Sequence, residues 1–229
     1  GGVPMLSVQG GAVGAFQPGN GYAVFARSSL VAPADLYRVN GDGTTPPLTN
    51  ENAGRLAAVD LPKPKSMTVR GAGGASVQYW LLTPPGFDPT KKYPVVFLLH
   101  GGPQGDWADS WSNRWNPSLW AAQGWIVAAP NPRGSTGFGQ KFVDEISQDW
   151  GGKVMTDLTA VFDDAVKLPY VDGTRQGGAG ASFGGYAVDG VMGRPNRFKV
   201  GGRNDGVLNR ESVWSTPEAV GFGRWEYGC

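Results

Sequence analysis

Hydrophobic positions change their spacing twice along this chain. Through residues 1–61 they come in short runs at 12–16, 22–27, 35–39 and 48–50. Pro18-Gly19-Asn20-Gly21 and Asn40-Gly41-Asp42-Gly43 separate some of these runs as turns, the second marking a hairpin. Short strands at such even spacing predict a small antiparallel sheet. A blade of a β-propeller fits the pattern, and so does any antiparallel meander. There are too few strands to close a ring, so a sheet of this size standing alone has open edges.

Leu61-Pro62-Lys63-Pro64-Lys65 reads as a linker, and the spacing changes after it. Residues 67–70 and 77–82 predict a hairpin across a Gly-Ala-Gly-Gly turn. Residues 95–99, Val-Val-Phe-Leu-Leu, are apolar without alternation, as in a strand buried on both faces. Residues 125–130 repeat that signal. Val154, Leu158, Val161, Phe162 and Ala165 recur at helical spacing and predict an amphipathic helix. A short glycine-bearing strand leads through Ala179, and a helix over 184–193 follows, ended by Gly193 and Pro195. From residue 95 onward the order is strand, helix, strand, helix, which predicts an α/β domain with a mostly parallel sheet.

Composition narrows the function classes. A chain of 229 residues holds one substantial core, or a medium core with a small appendage. Lysine and arginine number 20 against 19 acids, so charge gives no reason to expect nucleic acid or an anionic membrane as partner. No apolar run is long enough to span a bilayer. Cys229 is the single cysteine and His100 the single histidine, which excludes an intrachain disulfide and the usual zinc site. No cofactor or metal is expected. With Gly1 at one end and Cys229 at the other, both ends read as cut.

Candidate chemistry lies at the strand-to-helix junction. Gly180-Ala181-Ser182-Phe183-Gly184 has the G-x-S-x-G form, in which a tight turn holds a serine hydroxyl up as a nucleophile. The junction falls on the carboxyl side of the sheet, where open α/β sheets place their sites.

Four ordered segments carry a resemblance: Pro94-Val95-Val96-Phe97-Leu98-Leu99-His100-Gly101-Gly102-Pro103, Asn131-Pro132-Arg133-Gly134-Ser135-Thr136-Gly137-Phe138-Gly139, Asp149-Trp150-Gly151-Gly152, and Gly180 to Tyr186. Together they resemble the catalytic domain of the prolyl oligopeptidase family of serine peptidases, in its dipeptidyl-peptidase and acylaminoacyl-peptidase-like branch. Residues 20–61 resemble the last stretch of that family's N-terminal propeller. The resemblance implies a β-propeller remnant over residues 1–61 and, over 62–229, an α/β-hydrolase domain incomplete at its C-terminus. It implies a peptide substrate, Ser182 as nucleophile, and oxyanion donors at the backbone N–H groups of Phe183 and Gly102.

Two features depart from that family. Downstream of Ser182 the acids are Asp189, Asp205, Glu211, Glu218 and Glu226, with no histidine. The resemblance implies that the triad acid and histidine lie beyond a segment that Arg224-Trp225-Glu226-Tyr227-Gly228 resembles, so both are expected to be missing here, with Asp205 in the family's Asp-Gly turn rather than at the triad acid. His100 belongs to the oxyanion turn, where the family histidine is structural. The strands also look poor: Gln176-Gly177-Gly178-Ala179 and Val200-Gly201-Gly202-Arg203 carry glycines in their interiors, and Arg203 would be costly if buried.

Arg133 is expected to form a loop salt bridge rather than touch substrate, and Asp149-Trp150-Gly151 to fix the entry to the amphipathic helix. Trp107, Trp111, Trp115 and Trp120 are expected in packing, with a substrate pocket as the alternative. Asp163 and Asp164 read as a solvated helix face. A serine peptidase is the expected function, inactive in this chain alone. A carboxylesterase using the same machinery and a catalytically silent binding domain are the rivals.

Overall fold

The computed structural model describes residues 8–194, 197–215 and 220–228, so Pro195, Glu218 and Cys229 lie outside the described residues. The chain divides into two units, residues 1–64 with 108–119, and residues 65–107 with 120–229.

In the first unit β1 (Ala12–Gly19), β2 (Tyr22–Ser29) and β3 (Ala32–Asn40) form a three-stranded antiparallel meander, followed by the short helix α1 (Ala53–Leu56). Phe25, Leu30 and Val39 are its buried apolar residues. Asp109 holds the 108–119 segment in this unit: its two carboxylate oxygens accept from Gly11 N–H and Leu30 N–H, each at 2.9 Å. The chain turns at 40–43, where Gly43 N–H donates to the Asn40 carbonyl at 2.9 Å. The strand expected at 48–50 does not form. Its approach runs through Pro46 and Pro47, which have no N–H to donate, and only an isolated bridge from Tyr37 to Pro47 remains.

The second unit is a six-stranded mixed sheet. Its strands are β4 (Lys65–Arg70), β5 (Ser76–Leu82), β6 (Tyr93–Leu99), β7 (Ile126–Asn131), β8 (Val171–Ala181) and β9 (Val200–Asn204), in the order β4-β5-β7-β6-β8-β9. The β7–β6–β8–β9 ladders are parallel, and β4 and β5 add antiparallel pairs. Val95 to Leu99 and all of β7 are buried, as their unbroken apolar runs require. Helix α2 (Pro117–Ala121) starts in the 108–119 segment of the first unit, and the helices of the second unit are α3 (Gln140–Asp144), α4 (Lys153–Val166), α5 (Phe183–Met192), α6 (Arg210–Trp214) and α7 (Val220–Tyr227). Helix α4 buries Val154, Leu158, Val161, Phe162 and Ala165, the positions its period marks.

The glycines of β8 have a local cause. A methyl on Gly178 would overlap the Phe198 ring, and one on Gly177 would stand 2.9 Å from a Val200 methyl carbon. Phe198 fills that space and packs with Phe97 and Phe162 at ring separations of 5.7 and 5.2 Å. The central strand is therefore completed by side chains about twenty residues further on. Arg203 is exposed and pairs with Asp189 at 2.9 Å, so its expected burial cost does not arise.

Asp163 and Asp164, expected on a solvated helix face, are both partly exposed and both partnered. Asp163 pairs with Arg197 at 2.7 Å, and Asp164 accepts from the hydroxyl of the fully buried Tyr79 at 2.7 Å. Burial, followed by that carboxylate, pushes the Tyr79 phenol well above its ordinary pKa.

Candidate active site

Strand β8 ends at Ala181, helix α5 begins at Phe183, and Ser182 between them has φ 56° and ψ −119°. That backbone is costly for a residue with a Cβ, about 1–3 kcal/mol, and persists only where its surroundings impose it. Here they do. Ser182 N–H donates to the Asn204 carbonyl at 3.0 Å, and the Ser182 carbonyl accepts from Tyr186 N–H at 3.0 Å. A methyl on Gly180 would stand 2.5 Å from the Gly184 carbonyl, and one on Gly184 would overlap the Leu99 carbonyl oxygen. Both glycines are thus required by close approach of β6, β8 and α5. Among the described residues no side chain hydrogen-bonds the Ser182 hydroxyl.

The His100-Gly101-Gly102 turn stands against this elbow. A methyl on Gly101 would lie 3.3 Å from the Ser182 Cβ. Gly102 has φ 129°, and a methyl there would sit 2.7 Å from the Gln104 carbonyl carbon, so Gln104 folds back over Gly102. Phe183 is the first residue of α5, where an N–H has no intrahelical acceptor. The structure therefore brings Ser182, Phe183 and the Gly101–Gly102 turn together.

The His100 ring is engaged elsewhere. Its Nδ1 lies 2.9 Å from the Gly101 carbonyl and its Nε2 2.9 Å from Ser135 Oγ. A carbonyl only accepts, so Nδ1 carries the proton and Nε2 accepts from the Ser135 hydroxyl. Burial pushes the ring below the ordinary histidine pKa, which keeps it neutral. Ser135 is itself fully buried, so this pair clamps the 131–139 loop to the end of β6. Thr136 N–H reinforces the clamp by donating to the Gly105 carbonyl at 2.9 Å.

Among the described residues none of the other candidates hydrogen-bonds the serine hydroxyl. Arg133 is buried; its Nε is 3.0 Å from a Glu145 carboxylate oxygen and its N–H donates to Asp157 at 3.0 Å. Asp157 is fully enclosed, and burial raises its pKa. Asp205 is exposed, at φ 49° in the turn after β9. Asp149 accepts from the Lys153 N–H at 3.0 Å, at the entry to α4. Trp107 donates from Nε1 to the Leu98 carbonyl at 2.8 Å, and Trp120 packs on Trp125 at 6.1 Å. An apolar groove of about 350 Å³ over Val95, Val96, Trp120 and Trp125 is not lined by Ser182, Phe183 or Gly102.

One feature of the site has little signature in the sequence. Glu226, on α7, is 1% exposed, and its carboxylate accepts from Gln104 Nε2 at 2.6 Å, Ser147 Oγ at 3.1 Å and Trp150 Nε1 at 2.7 Å. Trp150 in turn meets the Phe183 ring edge-on at 4.9 Å. The only sequence hint is an acid set between Trp225 and Tyr227.

The prolyl oligopeptidase family matches residues 111–228, just over half of the chain. The chain belongs to the prolyl oligopeptidase family. It is 39% identical over 215 residues to dipeptidyl-peptidase 5 of Porphyromonas gingivalis, covering 93% of this chain and 31% of that protein. It is 49% identical over 145 residues to a probable dipeptidyl-peptidase 5 of Aspergillus clavatus, covering 62% of this chain and 20% of that one. Among solved structures it superposes on Pyrococcus horikoshii acylaminoacyl peptidase with a TM-score of 0.88 at 21% identity, over 97% of this chain and 36% of that one. The chain thus spans about a third or less of these relatives. Its sheet and helices share the fold of that solved structure.

Proposed function

We propose that this chain carries the nucleophile and oxyanion site of a peptidase that cleaves short peptides through an acyl-enzyme on Ser182. The observation that supports this most is the Ser182 backbone, at φ 56° and ψ −119° between β8 and α5 and beside the Gly101–Gly102 turn. In the proposed reaction Ser182 Oγ attacks the scissile carbonyl carbon. A general base takes the hydroxyl proton and returns it to the leaving amine. The N–H groups of Phe183 and Gly102 stabilise the oxyanion, each such donor being worth about 3 kcal/mol. Water then releases the acyl group. The short-peptide substrate is inferred from relatives named dipeptidyl-peptidase.

The base and its orienting acid come, in this proposal, from outside the 229 residues. The single histidine is His100, and its two ring nitrogens face Gly101 and Ser135. Without a base a serine hydroxyl is a weak nucleophile, and an oxyanion site alone leaves roughly 10³–10⁴ over water. The chain alone therefore turns over almost no substrate. Residues 1–61, which contribute the meander β1–β3, are proposed as part of a β-propeller, and 62–229 as the catalytic domain.

Two measurements test this reading. The coding sequence after Cys229 is expected to continue in frame through an Asp and then a His. Its translated product is expected to hydrolyse dipeptidyl amides, while the 229-residue chain does not. Preference for simple esters over amides would favour the esterase instead. A stop codon straight after Cys229 would remove the proposed source of the base.

A further inference from the structure

We infer that Glu226 is a positioning residue that sets both oxyanion donors from one buried carboxylate. The inference rests on the reading of Phe183 and Gly102 as those donors. The two donors lie on different segments, one at the start of α5 and one in the turn after β6. An oxyanion site works only if both N–H groups point at one position before the charge develops. Something must therefore hold the two segments in mutual register.

The Glu226 carboxylate joins both segments: Oε1 takes Gln104 and Ser147, and Oε2 takes Trp150. Oε1 accepts from Gln104 Nε2 at 2.6 Å, and Gln104 is the residue whose backbone folds over Gly102. Oε2 accepts from Trp150 Nε1 at 2.7 Å, and the Trp150 ring packs against Phe183 at 4.9 Å with an interplanar angle of 88°. Ser147 Oγ adds a third donor at 3.1 Å, and the Glu226 carbonyl accepts from Gln148 N–H at 2.9 Å. Main chain and side chain thus fix α7 to the 147–150 segment together.

The chemistry suits a carboxylate. It only accepts, it has room for three donors on two oxygens, and hydrogen bonds to a charged group are stronger than neutral ones. A buried acid is costly unless its oxygens are satisfied, and these are. Glutamine in its place supplies one neutral acceptor oxygen and one NH₂ group, so the charge is lost, and with the oxygen kept on Trp150 the Gln104 amide has to turn over to meet the NH₂.

The test uses the 229-residue chain and a dipeptide boronic acid. Boron accepts the Ser182 oxygen, the hydroxyl proton passes to solvent, and a boron-bound oxygen takes the oxyanion position. The matching dipeptide amide, which forms no such adduct, is the control ligand. The parent chain is expected to bind the boronic acid more tightly than the amide, and Ser182→Ala to lose that advantage. Glu226→Gln is expected to lower boronic-acid affinity about tenfold or more while leaving amide affinity unchanged. Trp150→Phe and Gln104→Met, which each remove one donor, are expected to give smaller losses of the same selective kind. They decide the matter if Glu226→Gln does not fold.

Equal losses for both ligands, or no loss for either, would overturn the positioning role. If the parent shows no preference for the boronic acid, or Ser182→Ala keeps it, the reading of the serine site fails. Loss in Ser182→Ala without a selective effect of the other variants leaves that reading standing and refutes this inference.

Discussion

Two glycine-rich turns stand side by side at the carboxyl ends of the parallel strands β6 and β8, where Leu99 pairs with Gly180. Each presents one side chain able to take part in acyl transfer. At the end of β8 the chain strains its backbone to hold Ser182 out, with no side-chain partner for the hydroxyl among the described residues. At the end of β6 the His100 ring is folded inward, with both nitrogens taken up by Gly101 and Ser135. The strand environment and glycine content are alike, and the fates of the two side chains are opposite. Partner satisfaction decides between them: a side chain whose polar atoms are all paired inside the protein has none left for a substrate.

Four changes break or sharpen that contrast. The largest effect is expected where the elbow is packed most tightly. Gly184→Ala places a methyl onto the Leu99 carbonyl oxygen and should destabilise the fold by about 3 kcal/mol, read as a shift in the urea midpoint. On the other turn, His100→Ala leaves the buried Ser135 hydroxyl unpaired and opens a void, with an expected loss of about 2 kcal/mol in the same assay.

Next comes a gain. Ser182→Gly relieves a positive φ and should stabilise by about 1 kcal/mol, measured by calorimetry. A loss of stability would mean that the serine is not strained. The smallest effect concerns pH. Burial holds His100 below its ordinary value of 6.5, so on acidification below that value the unfolded chain takes up a proton that the folded chain refuses. Stability is then fully present above 6.5 and falls as pH drops toward the lowered folded pKa. Because the chain has one histidine, His100→Asn should flatten that part of a stability–pH profile.

Much of this arrangement is readable from local pattern. The runs 95–99 and 125–130 are apolar at every step, and both became buried strands. The period of Val154, Leu158, Phe162 and Ala165 is that of the buried face of α4. The elbow glycines are required by contacts a few residues away or on the adjoining strand. What local pattern does not carry is the filling of one element by another. Gly177 and Gly178 look unfit for a central strand until Phe198 and Val200 occupy their space. Asp164 fits an exposed helix position until Tyr79 donates to it from 85 residues away. Glu226 is the furthest case, since its partners Gln104 and Trp150 are 122 and 76 residues earlier. Nothing near Glu226 in the chain states that its carboxylate is buried.

Ser182 is proposed to be correctly presented and unactivated in these 229 residues. Intact-mass measurement of fluorophosphonate labelling, with Ser182→Ala alongside, tests this most directly. The predicted result is that the chain and the variant label equally slowly. Rapid, stoichiometric labelling at Ser182 would show that a base is present within the chain and contradict the account.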